Sequence, residues 1–201
     1  MEREILIIQQ VVGVFRLYGI RSLSLEEIAK LINLTSHTLR KYFRTKELLL
    51  LKCVTYRISQ EEIFNNADEC LPDMMVDFVE VYPELCGKLS RRCCLEIKKY
   101  YHDVFHFLDN FLDSYAVACR DKVEDAIVNG YVRPTVSPHL VYTFFSKHWS
   151  NLFMPDACSF SLSESLEITK RIQAFTREIV TIKGQIYINE KLKNRSYNEA
   201  D

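Results

Sequence analysis

The sequence has few of the residues that interrupt helices: only five glycines and five prolines occur among its 201 residues. It also lacks the alternating pattern of strands, any internal repeat and any low-complexity segment. Because 48% of the residues are hydrophobic, the chain can bury a sizeable core. These features predict an all-α protein of about nine helices.

Signals for a membrane or an oxidising compartment are missing as well. No apolar run approaches the roughly 20 residues that span a bilayer, and the first residues lack the layout of a secretory signal peptide. The seven cysteines are odd in number and form no CxxC pair. Buried thiols in a reducing cytoplasm are the simplest explanation, although the adjacent Cys93 and Cys94 leave a redox sensor open. We therefore expect a cytoplasmic protein.

Catalytic and metal-binding motifs are also absent. The sequence shows no glycine-rich phosphate loop and no Ser/His/Asp or Cys/His set, so we predict neither an enzyme nor a bound cofactor. His102 and His106 are four residues apart on a predicted helix, with Asp103 and Asp109 nearby, which is a spacing that can bind a metal. No Glu-x-x-His motif accompanies them. A metal-binding all-α protein is therefore an alternative, and we predict no metal ligands.

Charge is distributed unevenly along the chain. Residues 1–60 contain ten Lys/Arg and five Asp/Glu, a net charge of +5. Residues 61–201 contain sixteen and twenty-two, a net charge of −6. The basic part of the chain is suited to contact with nucleic acid.

Two short helices joined by a tight turn are predicted in this basic part. Ser24 followed by Glu27 is a capping box, which begins the first helix at Leu25. A sharp turn between helices usually needs one residue in the left-handed conformation. Asn33 is the residue type that tolerates this conformation best after glycine.

The second short helix, Ser36 to Tyr42, is predicted to have two different faces. Thr35 caps it, and Leu39 and Phe43 lie one turn apart on an inward face. Its outer face consists of donors and cations without any acid: Ser36, His37, Thr38, Arg40, Lys41 and Tyr42. This pattern is typical of a helix-turn-helix that presents side chains to a major groove, although a solvated helix would also fit it.

With its flanks, this segment resembles the tetracycline-repressor (TetR) family of bacterial transcriptional regulators. The likeness covers Ile5 to about Leu51 and rests on Phe15, Tyr18-Gly19, Ser24-Leu25, Ile28-Ala29, Thr38-Leu39, Tyr42-Phe43 and Lys46-Glu47-x-Leu49. Beyond Leu51 it rests on length and helix pattern only. The resemblance implies a helix-turn-helix DNA-binding domain over residues 1–46 and an effector-binding and dimerisation domain over residues 47–201. The polar stretch 191–201 is expected to be frayed.

The resemblance also implies roles for individual residues. Thr38, Tyr42 and Lys46 occupy positions that the family uses on DNA, with Lys46 on a phosphate. Ser36 and His37 lie at the early positions that usually face bases. The full predicted DNA-binding set is Ser24, Thr35, Ser36, His37, Thr38, Arg40, Lys41, Tyr42 and Lys46.

Three positions depart from the family pattern. Arg40 stands where a tyrosine is usual, and Asn33 stands where a glycine is usual. Glu26 stands where a basic or polar residue often reaches DNA. Because a phosphate would repel Glu26, this departure puts a base contact from the first short helix in doubt.

A narrow apolar stripe recurs between residues 161 and 188 and suits helix-on-helix packing, including packing against a second copy. The family pairs its last two long helices, so we predict a homodimer on a palindromic operator, joined by helices at about 138–153 and 161–188. The predicted interface residues are Val141, Phe145, His148, Leu152, Ile168, Ile172, Phe175, Ile179 and Ile182. A role for these helices in the core alone is the alternative.

Aromatic residues are plentiful in the middle of the chain, where the family encloses its effector. The predicted pocket residues are Phe78, Tyr101, Phe105, Phe111, Tyr115, Tyr142 and Phe145, which favour an apolar or aromatic small molecule. Core packing explains the same aromatics equally well. The resemblance implies a repressor that an effector releases from DNA. The alternative is a DNA-binding scaffold whose C-terminal domain binds a protein partner.

Overall fold

The structure is a computed structural model, which describes residues 2–64, 69–88, 90–151, 153 and 162–198. Side chains are described for these residues except 62, 84–88, 162–165 and 196–198. Helices form most of the described chain, and an isolated bridge is its only strand-like pairing, so the all-α prediction is confirmed. The helices are α1 Glu2–Tyr18, α2 Leu25–Leu31, α3 Ser36–Tyr42, α4 Lys46–Gln60, α5 Leu71–Lys88, α6 Arg91–Tyr100, α7 His102–Asp121, α8 Val123–Val128, α9 Pro138–Asn151, α10 Leu162–Ile179 and α11 Ile182–Asn198, with a 3₁₀ turn at Glu62–Phe64.

The chain divides into two compact units. Unit 1 contains α1–α4, α6, the part of α7 up to residue 110, and Phe153. Unit 2 contains the 3₁₀ turn, α5, the rest of α7, and α8–α11. Among the helices described, none is both long and apolar enough to cross a membrane. The domain boundary between residues 46 and 47 stays a prediction.

The core of unit 1 is formed by the apolar faces of α1–α4 together with residues of α6 and α7. Ile8 and Phe15 lie seven residues apart on one face of α1 and are buried, whereas Ile5 is exposed. Ala29 of α2 is fully buried, which fits its small size at a close helix crossing. Ile97 of α6 also belongs to this core, so α6 packs directly on the helix-turn-helix.

In unit 2, α5 is the central helix, and it corrects one predicted boundary. The sequence predicts a break at Pro83, but α5 continues through Pro83 to Lys88. An internal proline removes one helical hydrogen bond and destabilises an isolated helix. Here α5 is buried on several sides and contacts α8, α10 and α11, so tertiary packing offsets this cost. Apolar residues that recur at threes and fours predict one helix from about His102 to Asn129, but the structure divides it, with Lys122 between α7 and α8.

The last predicted helix, 161–188, is two helices in the structure. α10 ends at Ile179 and α11 begins at Ile182, because the residues between them pair with the segment after α8. Val180 forms an antiparallel bridge with Val132, and the N–H of Thr181 donates to the carbonyl of Tyr131 over 3.0 Å. Ser161 followed by Glu164 predicts a capping box at the start of this helix, but Ser161 and the side chain of Glu164 lie outside what the structure describes.

Over residues 191–198, which are part of the tail expected to be frayed, the structure continues α11 to Asn198. Ion pairs with α5 hold this part of the helix in place. Lys191 lies 3.0 Å from a carboxylate oxygen of Asp73, and Arg195 lies 2.5 Å from an oxygen of the buried Asp77. Burial of Asp77 makes its pairing with Arg195 important, since an unpaired buried charge is costly.

The start of α11 depends on close backbone contact at Gly184. Thr181 caps the helix, because its hydroxyl accepts from the N–H of Gly184 at 3.1 Å and donates to the carbonyl of Gly130 at 2.6 Å. A Cβ at Gly184 would overlap the carbonyl oxygen of Tyr131. Only glycine fits this approach without a backbone shift.

We expect Gly184→Ala to lower the free energy of unfolding by roughly 2 kcal/mol, the usual effect of overpacking. Gly13→Ala is the matched control. Nothing lies within 4 Å of a Cβ at Gly13 in the middle of α1, so the same change there should stabilise by about 0.5–1 kcal/mol. Urea unfolding of both variants measures the difference. Equal shifts of the two midpoints would contradict the contact at Gly184.

Candidate DNA-binding surface

The entry to α2 has the predicted capping box. The hydroxyl of Ser24 accepts from the N–H of Glu27 at 3.2 Å, and a carboxylate oxygen of Glu27 accepts from the N–H of Ser24 at 2.7 Å. The Ser24 bonds lower the pKa of Glu27. The hydroxyl of Ser24 also donates to Glu27 at 2.8 Å, so local bonds already engage this predicted DNA contact.

The turn between α2 and α3 has the predicted left-handed residue. Asn33 has φ 56°, the only positive φ at a non-glycine position in the described chain. Its N–H donates to the carbonyl of Lys30 at 3.1 Å, and the N–H of Leu34 donates to that of Ala29 at 2.8 Å. These two bonds form the standard closing motif of a helix, with asparagine in place of glycine.

The inward face of α3 is buried, as predicted. Leu39 is 0% exposed and Phe43 is 1% exposed, and both belong to the core of unit 1. Thr35 caps the helix by accepting from the N–H of Thr38 at 3.1 Å, and the hydroxyls of Thr35 and Thr38 lie 2.8 Å apart. Packing from behind therefore fixes which side chains α3 presents outward.

The outer face of α3 points to solvent. His37, Arg40 and Lys41 are exposed. Ser36, Thr38 and Tyr42 are half-buried. This arrangement keeps donors and cations accessible along one side of a helix, which is what contact with base edges and phosphates requires.

One of these cations has an acidic partner. Arg40 forms an ion pair with Glu26 of α2, and both side chains are about half exposed. The hydrogen bond from Arg40 lowers the pKa of Glu26. Glu26 therefore stays ionised beside the outer face, but Arg40 compensates its charge locally.

Lys46 also has partners within the protein. Its Nζ donates to the carbonyl of Leu23 at 2.6 Å and to that of Arg21 at 3.5 Å, and it lies 5.6 Å from the ring centroid of Tyr101. The predicted phosphate contact would have to share the ammonium with these carbonyls. Arg44, which is not in the predicted DNA-binding set, is exposed two residues after the end of α3. A cation two residues after the end of α3 is the sequence signal that could have identified it.

The residues predicted for an effector pocket separate into different places. Phe78, Phe111, Tyr115 and Phe145 lie in an aromatic cluster of unit 2, with ring centroids 4.5–5.9 Å apart along the contacts that link them through Phe64, Tyr82 and Trp149. Tyr101 and Phe105 instead pack against the core of unit 1. The hydroxyl of Tyr142 donates to Asp113 at 2.7 Å at the surface. The structure does not bring Tyr101, Phe105 and Tyr142 into this cluster, and their assignment to a pocket stays a prediction.

Two buried polar atoms lie within this aromatic cluster. Nε1 of Trp149 has no hydrogen-bond partner among the described residues, although the side chain is 2% exposed. The hydroxyl of Tyr115 likewise has no hydrogen-bond partner among the described residues apart from a weak contact with the thiol of Cys119. Burial raises the pKa of Tyr115. Buried donors without good acceptors are costly and need an explanation.

A separate open cavity of about 240 Å³ lies at another place in unit 2. Polar groups contribute much of its lining, including Glu69, Lys122, Asp125 and Asn129. Burial, followed by the charge of Asp77, raises the pKa of Glu69 to about 7. None of the predicted effector residues lines this cavity.

The predicted dimer residues are also divided. Val141, Phe145, Ile172 and Ile179 are at most 1% exposed and belong to the core of unit 2, so the single chain already buries these four side chains. The other described members are half-buried or exposed: His148, Ile168, Phe175 and Ile182. Leu152 lies outside the described residues.

The exposed apolar residues of α11 are Ile182, at 83%, and Ile186, at 54%, one helical turn apart. The ring of Phe175 stacks in parallel on the ring of Phe144, with centroids 3.7 Å apart, so it already has a partner within the chain. Nδ1 of His148 lies 2.8 Å from the carbonyl of Phe144, so this ring is also bonded within α9. Of the predicted interface, Ile182 is therefore the side chain most available to a partner.

The cysteines with described side chains mostly suit a packing role. Cys53, Cys94 and Cys119 are buried, and burial raises the pKa of Cys53 to about 12. Cys93 is half-buried, and its thiol donates to the carbonyl of Phe15 at 3.2 Å. Burial raises its pKa as well, which lowers the thiolate fraction that a redox sensor needs.

The metal alternative gains no support from the geometry. His102 and His106 are both exposed on α7. Within the ranges that the structure describes, no group of three or more His, Cys, Asp or Glu side chains could hold a metal ion.

Comparison with known proteins places the fold. No family model matches the chain, and no curated protein matches it. Among solved structures, the chain is similar to a TetR-family transcriptional regulator from Cytophaga hutchinsonii, with a TM-score of 0.70, 13% identity, and coverage of 90% of this chain and 96% of that one. It is also similar to the reduced form of NemR from E. coli, with a TM-score of 0.66, 13% identity, and coverage of 90% and 98%. The chain is similar as well to a TetR/AcrR-family regulator from Thermobifida fusca, with a TM-score of 0.64, 17% identity, and coverage of 88% of this chain and 97% of that one.

These similarities define the class of fold. The chain has the all-α fold of TetR-family transcriptional regulators over most of its length, as the resemblance of its first residues implied. Identities of 13–17% show a shared fold, and one fold can support many functions.

The left-handed turn gives a direct test of the α2–α3 geometry. We expect Asn33→Ala to lower the free energy of unfolding by roughly 1 kcal/mol, because a Cβ without a compensating polar group is strained at positive φ. Asn33→Gly is the control and should change it by less than about 0.5 kcal/mol, since glycine adopts this conformation freely. Urea unfolding measures both. An alanine variant as stable as the glycine variant would refute the assigned strain.

Proposed function

We propose that this protein is a sequence-specific DNA-binding transcriptional regulator that inserts α3 into a major groove. The observation that carries the proposal is the two-sided character of α3: Leu39 and Phe43 are buried behind it, and its donors face solvent. A seven-residue helix with a buried back and an accessible polar front has the geometry of a recognition helix. The similar solved structures are named as transcriptional regulators, which supports the proposal.

The contacts divide by chemistry. Ser36 and His37, at the start of α3, are placed for base edges, since the first residues of a recognition helix reach furthest into the groove. Lys41 and Arg44 are exposed cations suited to phosphates. Lys46 contributes to a phosphate contact only with the part of its ammonium that the Leu23 and Arg21 carbonyls leave available.

We further propose that the protein acts as a homodimer on a palindromic operator and represses transcription there. One short helix contacts only a few base pairs, so two copies on half-sites about 34–36 Å apart would extend the recognised sequence. Ile182 and Ile186, exposed side by side on α11, are the apolar residues that a second copy would cover. A protein partner at the same residues is the alternative, and the symmetry of the bound DNA distinguishes the two.

Selection of bound sequences from a random DNA pool tests the function, and we expect a palindrome. Within it, His37→Ala should alter the preferred bases. Lys41→Ala should weaken binding to operator and random DNA alike and reduce the slope of log affinity against log salt by about 0.9, the effect of one lost phosphate contact. Lys170→Ala, which removes an exposed lysine from α10, is the charge-matched control and should leave the slope unchanged.

Two results would contradict these assignments. Recovery of no preferred sequence would refute sequence-specific binding. Identical changes in preference and salt slope for the His37 and Lys41 variants would refute their separate roles.

We also propose that a small uncharged aromatic molecule with an oxygen acceptor binds at the aromatic cluster of unit 2 and releases the DNA. The rings of this cluster contact one another in stacked and edge-to-face geometry, and an aromatic ligand would add a further contact of the same kind. The indole N–H of Trp149 can only donate, so a carbonyl oxygen would satisfy it. Such a ligand must bind the released form better than the DNA-bound form.

Trp149 is the only tryptophan of the chain, so its fluorescence reports on this site. We expect acetophenone to change the emission saturably and to bind about tenfold more tightly than ethylbenzene, which has the same ring without the carbonyl, because only acetophenone satisfies the buried donor. Operator affinity should fall in parallel. Equal binding of the two compounds would remove the role of the indole N–H, and no saturable change with either would refute the site.

A further inference from the structure

The turn between α1 and α2 is held by a carboxylate from a distant part of the sequence. Glu96 of α6 accepts hydrogen bonds from the N–H of Ile20 at 2.5 Å and from the N–H of Arg21 at 2.9 Å. Burial raises the pKa of Glu96, but these bonds outweigh burial and lower it below its usual value. Bonds from amides to an ionised acceptor are stronger than neutral ones, so this contact is a firm attachment.

The way α1 ends explains why these amides are available. Gly19, with φ +78°, closes α1 by a single bond from its N–H to the carbonyl of Phe15 at 2.8 Å. At the end of α2, the residue after the left-handed Asn33 is Leu34, and its N–H donates to the carbonyl of Ala29 in α2 itself. At the end of α1 the equivalent N–H belongs to Ile20, and Glu96 accepts it instead. A side chain of α6 thus completes the end of α1.

Two more side chains of α6 support the same attachment. Nε of Arg92 donates to Glu96 at 3.0 Å, and the guanidinium lies so close to Gly19 that a Cβ there would overlap it. The hydroxyl of Tyr100 accepts from Arg21 at 2.7 Å, and the Arg21 guanidinium lies 4.3 Å from the centre of that ring. Residues of one helix therefore hold both the backbone and a side chain of the turn.

The same turn connects to the DNA-facing part of unit 1. It leads directly to the capped start of α2, and its carbonyls at Arg21 and Leu23 accept from Lys46 at the start of α4. We propose that Glu96 is a positioning residue for DNA binding. By fixing the amides of Ile20 and Arg21, it sets where α2 begins and so how α3 is presented. This inference rests on the proposed function.

Glu96→Gln in the full chain tests the role. We expect affinity for the selected operator to fall about tenfold, because a neutral amide is a weaker acceptor for the two N–H groups. The salt slope should stay unchanged, since no phosphate contact is lost. Removal of a negative charge from the basic unit would by itself tighten binding to DNA, so weaker binding cannot be an effect of charge. Hydrogen exchange of the Ile20 and Arg21 amides should become faster.

Glu167→Gln is the matched control. It removes the same charge from an exposed pair, in which Lys170 lies 3.1 Å away on α10, and it should leave operator affinity within about twofold of the wild type. Arg92→Ala keeps the Glu96 carboxylate but removes its support. It should give a smaller loss with the same salt slope, and it tests the role if the Gln variant does not fold.

The outcomes separate this inference from the proposed function. Wild-type or tighter affinity of Glu96→Gln, or faster amide exchange without a loss of affinity, would overturn the positioning role and leave DNA binding intact. Equal losses in Glu96→Gln and Glu167→Gln would overturn it too. A wild-type protein that selects no DNA sequence would overturn both proposals.

Discussion

Burial of Leu39 and Phe43 decides which side of α3 faces outward. A helix of seven residues is not stable in isolation, so packing rather than propensity makes this segment helical. Each large apolar side chain contributes roughly 1.5–3 kcal/mol when fully buried. Exposed ion pairs such as that of Arg40 and Glu26 contribute little by comparison. The positions of the polar groups that would meet DNA therefore follow from the apolar groups behind them.

The parts that the sequence predicts correctly depend on local chemistry. The capping box of Ser24 and Glu27, the cap at Thr35 and the left-handed Asn33 each involve groups only a few residues apart. A short stretch contains all the information that such features need. The inward position of Leu39 follows from helical periodicity in the same way. For this reason the helix-turn-helix could be predicted almost residue by residue.

The parts that the sequence does not predict depend on distant partners. α5 continues through Pro83 because other helices bury it, and the chain breaks between α10 and α11 because Val180 pairs with Val132. Because of this break, the exposed Ile182 begins α11, whereas the buried Ile179 ends α10. At the candidate site, the attachment of Ile20 to Glu96 joins residues 76 positions apart, which no local pattern could indicate.

Pairings within the protein reduce the number of cations that the basic segment, residues 1–60, can offer to DNA phosphates. Its net charge of +5 counts Arg40 and Lys46, yet Arg40 is paired with Glu26 and Lys46 is bonded to two carbonyls. Fewer cations are then left to neutralise phosphates, and each phosphate contact supplies about 0.9 of the salt slope. A subunit with few such contacts binds random DNA weakly. Base contacts from the start of α3, repeated by a second copy, would then decide where the protein remains bound.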